Sequence, residues 1–220
     1  MIGGGVDLDV YSEARGGHIR EEFGFGDDPV VAMISKQVER KRFDVLLDAM
    51  GDVWKTTPSA RLLLAGGRTA YSPVLENLIA ELPIDYRRRV TMVSDFDEKL
   101  GPSLFAAADL LVLPSSRDSF GLVFVEAWAC RKPVIGIDLG ATASVIDHEE
   151  DGLLVPYDDP ENLAHAISRL LLDSDLRARL GRNGYQKVRQ RYSWRTVGER
   201  FRELYQSVLP SPADNRGRSG

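Results

Sequence analysis

The segment from Asp109 to Asp138, DLLVLPSSRDSFGLVFVEAWACRKPVIGID, constrains the possible folds of this chain most tightly. Leu110 to Leu113 is an apolar run closed by Pro114, the pattern of a buried strand. A polar turn, Ser115 to Ser119, leads into Gly121 and an apolar helix through Cys130, and Pro133 to Ile137 reads as a second buried strand. Strands without polar alternation are buried on both faces, which is the habit of parallel sheets covered by helices. Strand, turn, helix and strand therefore predict a right-handed βαβ unit. Its turn puts free backbone N–H groups of a helix start at the carboxyl edge of the sheet, where α/β folds bind ligands and anions.

Two acids frame that helix start, Asp118 in the turn and Glu126 eight residues later. Eight helical residues span roughly 12 Å of axis. The two carboxylates can thus hold separate parts of one ligand, with a phosphate between them on the N–H groups near Phe120 and Gly121. The plainer alternative is an N-cap Asp118 and a surface Glu126. Glu126 argues against it, because Leu122, Val123, Phe124, Val125, Ala127 and Trp128 surround it. An acid in so apolar a helix is costly unless something pairs with it.

The same alternation extends along the chain. Val30 to Ile34, Ala60 to Gly67, Val90 to Val93 and Gly152 to Pro156 read as further strands. Between the first two, Phe43 to about Lys55 is an amphipathic helix with Phe43, Leu46, Leu47, Met50 and Trp54 on one face. Helices are also expected over about Pro73–Leu82, Leu100–Ala108 and Leu176–Gln190, and from Pro160 and Ser193, with Asp159 and Ser193 as N-caps. The expected fold is α/β, an open, parallel, doubly wound sheet of six strands with helices on both faces. Lys36 and Lys41 lie in the loop after the first strand, and Gly66-Gly67 ends the second. Both sites fall at the carboxyl edge, where a glycine pair lets backbone approach a ligand. Arg87-Arg88-Arg89 precedes a strand, at the amino edge, and reads as a solvated charge run.

Composition closes off several classes of function. A net charge of −5 over 220 residues gives no electrostatic footprint for nucleic acid. No apolar run approaches the roughly 20 residues of a membrane span, and no signal peptide is evident. The single cysteine, Cys130, excludes an intrachain disulfide, fits a reducing cytoplasmic setting and reads as a buried structural thiol. His18 sits in a polar stretch and reads as a surface residue.

The string DSFGLVFVEA resembles the E-x7-E segment of retaining glycosyltransferases with the two-Rossmann-domain (GT-B) fold, especially family 4 (group 1). The loop SKQVERK resembles that family's S-R-x-D-x-x-K, GLLVP its G-x-L-V-P strand, and YSW its closing F-S-W helix. The opening GGGVDLD resembles the N-G-V-D stretch between the two domains of such enzymes. Residues 1–28 are then a crossover from a missing N-terminal domain or partner subunit, 29–209 a Rossmann-like donor-binding domain, and 210–220 a disordered tail. The likeness implies a nucleotide-sugar donor such as a UDP-, GDP- or ADP-sugar, with no cofactor and no obligatory metal. By the matching positions Lys36 and Lys41 neutralise the diphosphate, helped by N–H groups from Phe120, Gly121, Leu122 and Val123, and Ser119 belongs to the same donor-binding set. Glu126 accepts from the ribose hydroxyls, Asp118 holds a hydroxyl of the sugar, and Gly66, Gly67 and Ser94 border the nucleotide. Asp118, Lys36 and Ser144 stand where relatives usually carry Glu, Arg and Glu. The remaining readings are a nucleotide-sugar epimerase or phosphorylase on the same fold, and a nucleotide-binding regulatory half-subunit without catalysis.

Overall fold

Six apolar runs of four to six residues lie side by side as one parallel sheet, in a computed structural model that describes residues 4–115, 117 and 121–208. The chain enters through two short helices, α1 (Leu8–Glu13) and α2 (Gly17–Glu22), then β1 (Val30–Ile34) and α3 (Phe43–Thr56). It continues as β2 (Arg61–Gly66), α4 (Ser72–Glu81), the single turn α5 (Ile84–Arg87) and β3 (Val90–Ser94). Then come α6 (Gly101–Ala107), β4 (Leu110–Leu113), α7 (Leu122–Ala129), β5 (Val134–Ile137), α8 (Gly140–Val145) and β6 (Gly152–Val155). Three helices follow: α9 (Pro160–Leu172), α10 (Ser174–Arg191) and α11 (Trp194–Val208). Short 3-10 turns, Glu39–Lys41 and Glu98–Leu100, precede α3 and α6.

The strand order is β3-β2-β1-β4-β5-β6, and every neighbouring pair is parallel. The chain works outwards from β1 to one edge, then crosses back beside β1 and works out to the other. The direction of winding therefore reverses between β1 and β4, the place where open α/β sheets leave a crevice. β1, β4 and β5 are buried at every position, whereas the edge strand β3 is half-buried throughout. Ile34 pairs with Ala65 and Gly66 with Ser94, which holds the carboxyl ends of β1, β2 and β3 level.

Helices cover both faces of the sheet. The apolar side of α3 is buried as its periodicity requires, with Phe43, Leu46, Leu47, Met50 and Trp54 all in the core. Trp54 satisfies its one polar atom by donating Nε1–H to the Ala60 carbonyl at 2.9 Å. Caps form where short polar residues precede helices: Asp159 accepts from Asn162 N, and Ser193 Oγ from Thr196 N. Among the described residues, no helix is long and apolar enough to cross a membrane.

α7 packs against α10 through two glycines. A Cβ on Gly181 would lie 2.1 Å from the Arg131 carbonyl oxygen, and one on Gly184 would lie 2.0 Å from Cδ1 of Trp128. One turn on, the buried Lys187 ammonium lies 5.0 Å from the Trp128 ring centroid. It donates to the Val145 carbonyl, to Asp147 and to Asp151, so its charge is compensated.

Two regions differ from the sequence expectation. The stretch read as linker carries α1 and α2, and Val6, Ile19 and Phe25 bury into the core. It is also tied to the start of α11, because Val6 N donates to the Tyr192 carbonyl at 2.8 Å and Trp194 N to the Val6 carbonyl at 3.1 Å. In the arginine run, Arg87 and Arg88 are exposed, but Arg89 is half-buried with its guanidinium 5.7 Å from the Tyr86 ring centroid. That ring itself leans on Trp54, so an apolar shelf was available for the Arg89 stem. The segment 210–220 lies outside the described residues.

Two glycine substitutions test the packing. Gly184→Ala gains about 1 kcal/mol of helix propensity, but its Cβ collides with a buried indole, and overpacking of this kind costs about 1–3 kcal/mol. A Cβ on Gly51, in α3, would meet nothing within 4 Å, so Gly51→Ala keeps the full gain. Thermal unfolding is expected to show a lower midpoint for Gly184→Ala and a higher one for Gly51→Ala.

Candidate functional site

The N-terminus of α7 opens on Gly121, whose left-handed φ of 74° suits a residue without a side chain. A Cβ there would lie 2.6 Å from Cδ2 of Phe124, so the tight approach of ring to backbone also excludes one. From this start Phe124, Val125, Ala127, Trp128 and Ala129 all turn into the core, leaving Leu122 exposed and Val123 half-buried. Glu126 is the one acid of α7 and is half-buried. Burial pushes its carboxyl above the usual carboxylate range, opposed by the Tyr11 hydroxyl, which donates to Oε1 at 2.9 Å.

The second wall is built from the ends of β1, β2 and β3. Gly66, at φ 152°, leaves β2 so close to the chain after β1 that a Cβ would sit 1.8 Å from the Ser35 carbonyl oxygen. Gln37 N donates to the Gly67 carbonyl at 3.0 Å, and buried Gln37 Nε2 donates to Ser94 Oγ at 3.0 Å. Three strand ends are thereby stitched into one ledge. Lys36 is exposed on it, and Lys41 is buried in the following 3-10 turn.

Hydrogen bonds bring this loop to the β4–α7 turn. Arg40 Nη1 donates to the Arg117 carbonyl at 2.6 Å, and Ser115 Oγ donates to the Arg40 carbonyl at 3.3 Å. Arg42, left-handed at φ 58°, is held by Asp44 and Asp158 at 2.9 and 2.6 Å and by the Tyr157 hydroxyl, fastening the far end of the loop. The carboxyl edge thus carries a basic loop beside a helix N-terminus, with one half-buried carboxylate further along that helix. Such an arrangement can bind an anion and accept hydroxyl protons next to it.

Of the expected site residues, Lys36, Lys41, Gly66, Gly67, Ser94, Gly121, Leu122, Val123 and Glu126 all fall at or just beyond strand ends of this edge or on α7. Asp118, Ser119 and Phe120 lie outside the described residues. Tyr11 and Gln37 were not singled out by sequence. Tyr11 meets Glu126 across 115 residues of chain, and no local pattern signals that contact. Cys130 is half-buried, its thiol pushed up to about 12 chiefly by burial, and it donates to the Tyr11 carbonyl at 3.3 Å. Among the described residues, no three His, Cys, Asp or Glu side chains converge as a metal site. A cavity of about 660 Å³ between the leading segment, α10 and α11 contains none of the candidate residues.

Residues 17–187 match the family model described as glycosyl transferases group 1. The chain is 32% identical over 214 residues to a D-inositol 3-phosphate glycosyltransferase of Saccharomonospora viridis, an alignment covering 93% of this chain and 49% of that protein. It spans about half the length of the curated relatives it matches. Its fold superposes with a TM-score of 0.82 and 26% identity on Anabaena Alr3699/HepE crystallised with UDP-glucose, covering 93% of this chain and 56% of that one. The C-terminal domain of a group 1 glycosyl transferase, LpcC of Francisella tularensis, superposes with a TM-score of 0.76 and 24% identity, covering 86% of this chain and 100% of that one.

The raised carboxyl of Glu126 has a signed consequence for stability. A group whose folded pKa lies above its unfolded value stabilises below the unfolded pKa, about 4.3 for Glu, and that contribution is lost as pH rises through the folded pKa. Glu126→Gln mimics the protonated form at every pH. The variant is expected to melt above the parent chain at pH 7, with the gap closing towards pH 4. Parallel melting curves at both pH values would remove the effect.

Proposed function

Because the chain belongs to the glycosyl transferases of group 1, we propose that it is the donor-binding half of a retaining, family 4 glycosyltransferase, transferring a sugar from a nucleotide-diphosphate sugar to an acceptor. The observation that carries this reading is Glu126, a half-buried carboxylate on an otherwise apolar helix whose N-terminal turn is met by a basic loop at the carboxyl edge. A diphosphate fits between Lys36, Lys41 and the N–H groups opening α7. The ribose then reaches Glu126, whose two oxygens suit a pair of neighbouring hydroxyls. Asp118 takes a hydroxyl of the transferred sugar, and Gly66, Gly67 and Ser94 border the nucleotide. As the diphosphate leaves the anomeric carbon, the two lysines offset its growing charge, electrostatic work for which no metal is required.

A UDP-, GDP- or ADP-sugar suits this site, and UDP-glucose is held by HepE, a similar structure. The second wall of the cleft, and with it the acceptor site, belongs to a further Rossmann-like domain or partner subunit. Two observations support that division: the chain spans about half of its curated relatives, and α11 leaves Phe201, Leu204 and Tyr205 exposed.

Selective losses on titration test the site. Glu126→Ala should weaken UDP by roughly 1.5–3 kcal/mol, the worth of hydrogen bonds to a charged group, while leaving inorganic pyrophosphate nearly unchanged. Lys36→Gln and Lys41→Gln should weaken UDP and pyrophosphate but spare uridine, the more so at low salt. Equal losses across all three ligands would remove these residues from the proposed roles.

The 220-residue chain alone is expected to bind UDP weakly and to release no diphosphate from UDP-glucose above background when candidate acceptors are added. With one wall absent, water is not excluded and the acceptor is not positioned, which forfeits much of the barrier reduction. Acceptor-dependent turnover by the purified chain would show that it needs no second wall.

A further inference from the structure

Tyr11 belongs to α1, in the leading segment, yet its hydroxyl reaches the carboxylate on which the proposed ribose site turns. The contact is built, with each part of the residue held separately. Its ring packs against Phe105 of α6, with centroids 5.9 Å apart. Its carbonyl accepts from Cys130 Sγ, one turn beyond Glu126 at the C-cap of α7. Asp7 caps α1 by accepting from Val10 N, so the helix that presents Tyr11 is fixed at its start. The hydroxyl donates to Oε1 of Glu126 and leaves Oε2 without a described partner. A carboxylate has about four acceptor positions, so one bond from Tyr11 orients the group without filling it.

We propose that Tyr11 is a positioning residue for nucleotide binding, holding the Glu126 carboxylate in the rotamer that receives the ribose hydroxyls. The inference rests on the ribose role of Glu126 and adds to it a specific dependence on the leading segment. An unanchored Glu loses rotamer freedom when it binds a ligand, whereas one already held by Tyr11 loses less. The bond also opposes the effect of burial on Glu126, favouring the ionised acceptor. The other titratable groups around the pair are Glu98, on the 3-10 turn before α6, and Cys130, whose thiol is pushed up to about 12 and is influenced by Lys132 and Arg131.

The test compares Tyr11→Phe, Glu126→Ala and the double variant by calorimetric titration with UDP and with inorganic pyrophosphate. Tyr11→Phe keeps the ring against Phe105, and a cooperative unfolding transition with at most a small fall in midpoint verifies its fold. Its Kd for UDP is expected to rise about five- to tenfold, with pyrophosphate unchanged within about twofold. In the Glu126→Ala background the same substitution should have no further effect on UDP. Without the hydroxyl, the Glu126 carboxyl keeps its proton to higher pH, so on acidification the variant should lose UDP affinity at a pH where the parent chain still binds. If Tyr11→Phe binds UDP like the parent while Glu126→Ala does not, the positioning role falls and the ribose site stands. If Tyr11→Phe weakens UDP and pyrophosphate alike, the hydroxyl serves only the fold and the proposal is overturned. If Glu126→Ala spares UDP, the ribose reading itself fails.

Discussion

The buried indole of Trp128 lies against Gly184 of α10, while the Lys187 ammonium rests 5.0 Å from its ring centroid. Its Nε1–H donates at 2.7 Å to the carbonyl of Asp151, the same residue whose carboxylate pairs with Lys187. One side chain thus joins α7, α10 and the loop before β6. That joint leaves no room for a Cβ at residue 184, so α7 and α10 meet in close contact. The N-terminal N–H groups of α7 and Glu126 are carried on a helix anchored in the core, the kind of element that holds a binding site best.

A rigid helix alone would not make Glu126 useful. A half-buried carboxylate weakens the fold at neutral pH, and the chain tolerates it with a hydroxyl donor, Tyr11, as its described partner. Proteins commonly retain such locally unfavourable groups where activity depends on them. Arg42 shows the same trade on the backbone. A left-handed non-glycine residue carries strain of order 1–3 kcal/mol, set here against ion pairs to Asp44 of α3 and to Asp158, the second of which ties the basic loop to the region after β6.

The strands were legible in the sequence because a parallel sheet buries both faces, so β1, β4 and β5 appear as uninterrupted apolar runs with turn residues at their ends. Glu126 was legible for the converse reason, as the lone charge in an apolar helix. Contacts that close over long stretches of chain left no such trace. Tyr11 meets Glu126 over 115 residues, and Gln37 meets Ser94 over 57, with nothing in either local pattern to mark the meeting. The leading stretch was hidden differently. Its glycines and charges outweigh a few widely spaced apolar residues, Val6, Ile19 and Phe25, that carry its packing.

The two backbone bonds between Val6 and the Tyr192–Trp194 turn lay the incoming strand of chain beside the root of α11. Mechanically they form a strap. Gly4 and Gly5 lead directly into Val6, so this run of chain meets the start of α11 before α1 begins at Leu8. α1 also carries the hydroxyl that donates to Glu126 Oε1, so one short run of chain, Val6 to Tyr11, touches both the root of α11 and the carboxylate.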